Sequence, residues 1–483
     1  MWSVLVIGTG FAGIGMGIRL RAAGITDFLL LERAGGVGGT WRDNHYPGAA
    51  CDIESHLYSF SFEPYPRWSR TYAQQPEILG YLNHCVDKYA LRPHLRLHTE
   101  VTAAAWDDAA GCWEVRTGAG QTLRARLLVA ACGFLSRPAL PDIPGLSSFA
   151  GKVFHTARWD DSYPLAGRRV GIIGTGASAI QIIPSIAPTV GQLTVFQRTP
   201  PWILPKLDRP IAARTNQLFR VLPALQQLAR LGQYAMHELT AFGLIKDPRV
   251  FKLAERLVRL FVEKQVADAG LRAQLLPRYA MGCKRILISS DYYPALQRPN
   301  VELVTTPIAE IRPHGVATTD GREHSLEALI LATGFQAAES VAPFSLHGAT
   351  GQALDAVWQD GAEAYLGTAV AGFPNLFFLI GPNTGLGHNS MIYMIESQLA
   401  YVLSAIEHLR DRRLKSLQVR AAVQTAYNQA LHARFPNTVW STGCSSWYLT
   451  RSGKNTTLWP GFTFEFRRRT RRFDPAGYDA VPL

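Results

Sequence analysis

The sequence predicts an α/β protein made of two glycine-opened β–α–β units, the second set inside the first and carrying a helical insertion. Three observations predict it. Short apolar runs lead into Gly8-Thr9-Gly10-Phe11-Ala12-Gly13 and again into Gly174-Thr175-Gly176-Ala177-Ser178-Ala179, and a helical pattern follows each turn. A glycine-poor stretch with leucines at helical spacing interrupts the second unit, and strand-like runs resume after it and continue toward the C-terminus.

The first unit reads as a strand over 3–8, a helix over 10–23 and a strand over 28–32. Small residues at Gly8, Gly10, Ala12 and Gly13 let the backbone turn tightly and approach a pyrophosphate, whose charge sits on the free amides at the start of that helix. Glu32 closes the next strand, followed by Arg33. A carboxylate there accepts from both ribose hydroxyls and repels a 2'-phosphate, so the first turn reads as an FAD site in a Rossmann-like domain. A polar, aromatic loop follows to about Tyr72, strands return over 113–116 and 127–130, and the proline-rich stretch 136–144 reads as a linker.

A strand over 169–173 opens the second unit, whose Gly174, Thr175, Gly176, Ala177 and Ser178 form the equivalent turn. The following run ends in Arg198 and Thr199 with no acid, and a guanidinium favours a 2'-phosphate, so this site reads as NADPH. Residues 216–272 read as amphipathic helices packed on a neighbouring domain, with peripheral membrane contact left open. Strands are expected over 301–304 and 327–332, and Thr333-Gly334-Phe335 carries the chain back. The run 375–380 ends in a loop containing Asn383, ahead of a helix over 389–410 whose N-terminus would face the flavin pyrimidine edge. The expected organisation is therefore an FAD domain over 1–140 and 331–483, an NADPH domain over 149–215 and 276–330, and a helical insertion over 216–275.

At 483 residues the chain exceeds one ordinary core. Its net charge of +12 suits a protein holding two polyanionic cofactors. The cluster Arg467-Arg468-Arg469-Thr470-Arg471-Arg472 reads as a solvated strand edge or a domain-contact face rather than a nucleic-acid site. The six cysteines show no CxxC pair and no metal-ligand spacing, so no metal site is expected, nor the redox-active dithiol of a disulfide reductase. They read as buried free thiols in a reducing compartment. With no signal peptide and no transmembrane run expected, the location is read as cytoplasmic.

Between the two turns, Phe149-Ala150-Gly151-Lys152-Val153-Phe154-His155-Thr156-Ala157-Arg158-Trp159-Asp160 resembles the signature of the Baeyer–Villiger monooxygenases, and Gly39-Thr40-Trp41-Arg42-Asp43-Asn44-His45-Tyr46-Pro47-Gly48-Ala49-Ala50-Cys51-Asp52 resembles a second one. The related N- and S-oxygenating enzymes carry Tyr or Phe where Trp159 stands. The resemblance covers nearly the whole chain. It implies that NADPH reduces FAD, that O2 adds to give a C4a-peroxyflavin, and that a ketone gains one oxygen beside its carbonyl, becoming an ester or lactone. It also implies that Arg285 is the catalytic cation over the flavin, positioned by Asp52. Lys284 joins Arg198 and Thr199 on the 2'-phosphate, and Gly39, Thr40, Trp41 and Asp52 belong to the flavin side.

By the same resemblance Phe149, Gly151, His155, Trp159 and Asp160 brace the domain hinge, and Trp447 in Ser446-Trp447-Tyr448 contacts NADP. An arginine suits the chemistry because it keeps its charge at any working pH and stabilises both a peroxyanion and a tetrahedral adduct. Asp160 as a simple helix cap, Trp447 as ordinary core, heteroatom oxygenation, and an NADPH oxidase or redox sensor stand as alternative readings. The loop Gly381-Pro382-Asn383-Thr384-Gly385-Leu386-Gly387-His388-Asn389-Ser390 departs from that of cyclic-ketone enzymes, so the expected partners are O2 and an unspecified ketone, with no nucleic acid.

Overall fold

A strand with no polar face belongs in the middle of a sheet covered on both sides. In the computed structural model, which describes residues 1–336, 341–444, 446, 448–450 and 452–483, the first such run becomes β1 (Trp2–Ile7). Its Val4, Leu5 and Val6 are wholly buried, each contributing about 1.5–3 kcal/mol by leaving water. After α1 (Phe11–Ala22), β2 (Phe28–Leu31) pairs parallel to β1. After α3 (Gln75–Lys88), the short β3 (Leu95–Arg96) lies outside β2, and β4 (Val101–Asp107), β5 (Cys112–Thr117) and β6 (Thr122–Ala130) form an antiparallel meander whose last strand returns parallel to β1.

The second unit is wholly parallel. Its strands are β7 (Lys152–His155), β8 (Arg169–Ile173) and β9 (Gln192–Phe196), then β12 (Val301–Val304) and β16 (Ala328–Leu331), in the order β12-β9-β8-β16-β7. Beside it, β10 (Ile203–Leu204) pairs with β11 (Leu287–Ile288), and β13 (Ile308–Arg312), β14 (Gly315–Thr318) and β15 (Glu323–Ser325) form a small meander. The chain then returns: β17 (Ser345–His347) joins β4, and β18 (Leu376–Phe378) joins β6. Strands from both ends of the sequence thus share one eight-stranded sheet, with the five-stranded sheet built from the segment between them.

The outgoing and returning linkers lie side by side. Pro138 bridges to Phe335, Ala139 N donates to Gly334 O at 2.9 Å, and the Thr333 hydroxyl donates to Ala139 O at 2.6 Å. Between β9 and β12 come α5 (Ala213–Val221), α6 (Pro223–Ile245), α7 (Phe251–Gln265) and α8 (Ala269–Leu275).

Two expectations need correction. Cys283 and Cys444, 161 residues apart, are joined as a disulfide, whereas Cys51, Cys85, Cys112 and Cys132 are free. The pairing follows from packing of two remote segments, for which spacing along the chain carries no signal. The arginine cluster begins in the last turn of a helix, Thr463–Thr470, not on a strand. Phe466 is its buried anchor, and Arg467 lies 4.9 Å from the centre of the Tyr393 ring. The helical insertion packs on its neighbour through one side and leaves a row of leucines in solvent.

Candidate active site

Both glycine turns have the same geometry. Gly8 takes φ +101° and donates to Leu31 O at 2.8 Å; Gly174 takes φ +109° and donates to Phe196 O at 3.0 Å. A Cβ on Gly8 would sit 2.6 Å from Ala131 O, and one on Gly174 would sit 2.5 Å from Ala332 O, so strand packing alone demands glycine at both positions. Gly10 and Gly176 are different: the space beside Gly176 is open, and the nearest neighbour to a Cβ at Gly10 is Gly39 Cα at 3.8 Å. These bare surfaces lie where a pyrophosphate would approach. Gly13 packs so tightly that a Cβ would lie 1.9 Å from Gly8 O. Gly13→Ala is therefore expected to purify with little bound flavin and a lowered Tm, measured by flavin absorbance per protein and by thermal melting. Parental values for both would remove this account of the turn.

Around the first turn, Phe11 and Ala12 are buried, Phe11 with its ring edge-on to Tyr58 and Phe60. Gly39, at φ +51°, caps the short α2 (Thr40–Asp43) and presses against Gly10. Trp41 donates from Nε1 to the Tyr58 hydroxyl at 3.1 Å. Glu32 is buried; its Oε2 accepts from the Thr9 hydroxyl at 2.6 Å, and its Oε1 accepts from Ala34 N and, at 3.3 Å, from Arg42. A ribose hydroxyl would exchange with this longest contact. Arg42, which the sequence reading did not single out as a contact, is thereby the cation beside the acid. Arg33 is half exposed, 3.5 Å from Asp43.

The second turn is met by the loop of the first unit. Gln181 of α4 (Ala179–Ile186) donates to Ala50 O at 2.9 Å and accepts from the Tyr46 hydroxyl at 3.1 Å, while Ser178 hydrogen-bonds Tyr46. The Thr175 hydroxyl donates to Thr199 O at 3.3 Å, and Ala177 lies in the same turn. Arg198 emerges exposed after β9. Lys284 comes close enough that burial first and the charge of Arg198 second hold its ammonium below the ordinary lysine value. Among the described residues neither cation has a carboxylate partner within ion-pair distance. Two cations that feel each other's charge, with no carboxylate paired to either, suit a phosphate monoester.

The two units also meet at Arg285. Its Nε and Nη2 donate to one oxygen of Asp52 at 2.9 and 2.5 Å, and Nη1 reaches Leu386 O at 3.5 Å. The side chains remain about one-third exposed. The carboxylate of Asp52 raises the guanidinium pKa; burial alone would raise that of Asp52, but attraction to Arg285 overrides it and holds the carboxyl below the usual range. The result is a permanently charged ion pair with one edge locked and the other directed to the loop after Gly385.

That loop begins at Gly381. Asn383 takes φ +55° and donates from Nδ2 to Asn455 O and Leu458 O at 2.8 and 2.9 Å, while its buried Oδ1 has no partner among the described residues. An unmatched acceptor where a flavin edge is expected fits a ring N–H. The helix Met391–Asp411 starts here, capped by Ser390. Tyr448 is buried near the ion pair; Trp447 lies outside the described residues.

His155 sits at the paired linkers. Nε2 donates to Gly334 O at 3.1 Å and Nδ1 accepts from Ala157 N at 3.1 Å, which fixes a neutral ring; burial, first, lowers its pKa. Phe149 is buried, and a Cβ on Gly151 would meet Glu327 O at 2.4 Å. Trp159 is edge-on to Phe154 at 4.9 Å. Asp160 pairs with Lys152 at 2.5 Å and accepts from Ser162 N, a brace within a turn rather than the cap of a regular helix.

Residues 5–242 match the family model described as pyridine nucleotide-disulphide oxidoreductase. The chain is 50% identical over 477 residues to a Baeyer-Villiger monooxygenase of Pseudomonas aeruginosa, covering 98% of this chain and 90% of that one. Among solved structures it resembles cyclohexanone monooxygenase from Rhodococcus sp. Phi1 bound to NADP+, at 30% identity and a TM-score of 0.90, covering 100% and 99% of the two chains. It also resembles OTEMO in complex with FAD and NADP, at 29% identity and a TM-score of 0.89, covering 99% of each.

Proposed function

The chain belongs to the Baeyer–Villiger monooxygenases, and from that premise we propose that it uses FAD, NADPH and O2 to insert one oxygen atom beside a ketone carbonyl, giving an ester or lactone. The observation that carries this reading is the Arg285–Asp52 pair at the junction of the two glycine-turn units. When bound, the two cofactors supply the hydride and the activated oxygen.

The chain supplies position and charge. Asp52 takes two guanidinium donors on one oxygen, so Arg285 cannot swing away. The remaining nitrogen, held only weakly by Leu386 O, is the donor free to turn toward an anion. We assign the eight-stranded sheet to FAD, with Gly8, Gly10, Gly13 and Glu32 at the pyrophosphate and ribose. The five-stranded sheet takes NADPH, with Gly174 and Gly176 at the pyrophosphate and Arg198, Thr199 and Lys284 at the 2'-phosphate. His155 braces the paired linkers and performs no proton transfer, because both ring nitrogens are occupied by backbone partners. The ketone site lies between Arg285 and the loop 385–390. A need for NADPH supports a cytoplasmic location, although the Cys283–Cys444 disulfide removes free thiols throughout as an argument for it.

The test is product analysis by mass spectrometry, with purified protein, NADPH, O2 and a mixed panel of ketones and sulfides. The expected result is ester formed in proportion to NADPH consumed for at least one ketone, carrying one oxygen atom from labelled O2. NADPH oxidation yielding only H2O2 whatever ketone is present, or oxygen transferred to sulfides alone, would overturn the reading.

A further inference from the structure

A helix at a protein surface normally turns its leucines inward and its charges outward. Helix α6 does the reverse over most of its length, burying Ala241, Leu244 and Ile245 only toward its C-terminal end. Its inner side carries Gln226, Arg230, His237 and Glu238: Gln226 donates to Tyr65 O at 3.1 Å, Arg230 donates to His56 O and Ser59 O at 2.7 and 2.8 Å, and His237 lies 2.7 Å from a carboxylate oxygen of Glu54. Buried Glu238 accepts from Asn389 and from the Thr463 hydroxyl at 2.8 and 2.7 Å. Its outer side presents Leu225, Leu228, Leu231, Leu239 and Phe242 to solvent, with Leu239 76% exposed. The positions fall three to four apart or in multiples of that step, one continuous face.

Helix α7 likewise leaves leucines in solvent. On α7, Leu253, Leu257 and Leu260 are also exposed, Leu253 at 66%. Their immediate predecessors, Lys252, Arg256 and Arg259, are exposed too and form a parallel basic stripe about 100° round the helix. Acidic groups neutralise it only in part: exposed Glu263 follows Arg259 by one turn on the same side, whereas Glu255 is partly buried and accepts from Met281 N at 2.9 Å, and Asp247 is taken by Arg249. A leucine stripe flanked by long basic side chains matches the interfacial region of an anionic bilayer, where the apolar groups enter the acyl boundary and the cations stay with the headgroups. A second copy of this chain would set the same cations against each other.

We propose that the outer face of the insertion, α6 and α7 together, is a peripheral docking surface for an anionic lipid bilayer. No helix among the described residues is long and apolar enough to cross a membrane, so the contact is one of lying on the surface.

The test is flotation of the cofactor-loaded protein with vesicles of phosphatidylglycerol and phosphatidylcholine in equal parts, at low salt, beside vesicles of phosphatidylcholine alone. The parent protein is expected to float with the anionic vesicles and at least tenfold less with the neutral ones. Leu253→Asp with Leu257→Asp abolishes flotation. Lys252→Gln with Arg256→Gln weakens it about 25-fold, roughly fivefold per cation. In both variants NADPH turnover with a water-soluble ketone is unchanged, which shows that the fold is intact. Leu257→Trp adds a fluorophore whose emission moves to shorter wavelength when anionic vesicles are added. Absence of flotation in the parent, or flotation indifferent to the aspartates, would overturn the proposal. So would a dimer that the aspartates convert to monomer, because the face would then belong to a second copy.

Discussion

Arg285→Ala is expected to lower ester formation by about a hundred- to a thousandfold, the usual effect of deleting a donor aimed at developing negative charge. Reduction of bound flavin by NADPH should proceed at close to the parental rate, because Arg285 is not among the residues assigned to the NADPH phosphate. The substitution also strands Asp52, whose carboxylate is held ionised by that guanidinium. The double variant Arg285→Ala with Asp52→Asn removes the stranded charge, and the loss of ester should persist in it. Arg285→Lys keeps a cation but not the two-donor edge that grips Asp52, so it should recover only a minor part of the rate. Stopped-flow absorbance separates flavin reduction from product formation measured by mass spectrometry. Parental ester formation in Arg285→Ala would sink the assigned role, whereas equal loss of both steps would point to a folding defect.

The second large effect concerns the choice of nicotinamide. Arg198→Ala should raise KM for NADPH about 10- to 100-fold, the range expected for losing a hydrogen bond to a charged phosphate, and leave KM for NADH within about twofold. The structure adds Lys284 to the test. Its ammonium is destabilised by Arg198, so removing Arg198 relieves that repulsion and leaves Lys284 as the remaining phosphate contact. The two substitutions should therefore combine less than additively for NADPH. Steady-state kinetics with both cofactors checks this; equal rises for NADPH and NADH would dissolve the 2'-phosphate assignment.

Much of the architecture was legible in the residues because it is local. The glycine turns, the apolar runs that became β1, β8 and β12, and the helical periodicity of 216–272 need no knowledge of remote contacts; strand expectations at 169–173 and 301–304 coincide with the observed bounds. Glu32 and Arg198 stood out as candidates because each ends a strand at a set distance from its glycines. Arg285 was not legible in that way. A lysine–arginine pair has no local signature of chemistry, and only the family resemblance singled it out. Arg42 and Gln181 escaped for a related reason: each acts through partners whose position depends on the folded loop.

The residues by themselves determined two glycine-turn β–α–β units, with an acid ending the second strand of one and a base following that of the other, since tight turns and strand-end charges are properties of a few consecutive positions. Only the tertiary structure decided that Arg285 meets Asp52 from 233 positions away, that Cys283 meets Cys444, and that α6 turns its polar side inward. Periodicity reports that a helix has two faces, but which of them is buried depends on what the neighbouring surface offers. Here that surface offers backbone carbonyls and a carboxylate, which bind Gln226, Arg230 and His237 and leave the leucines outside.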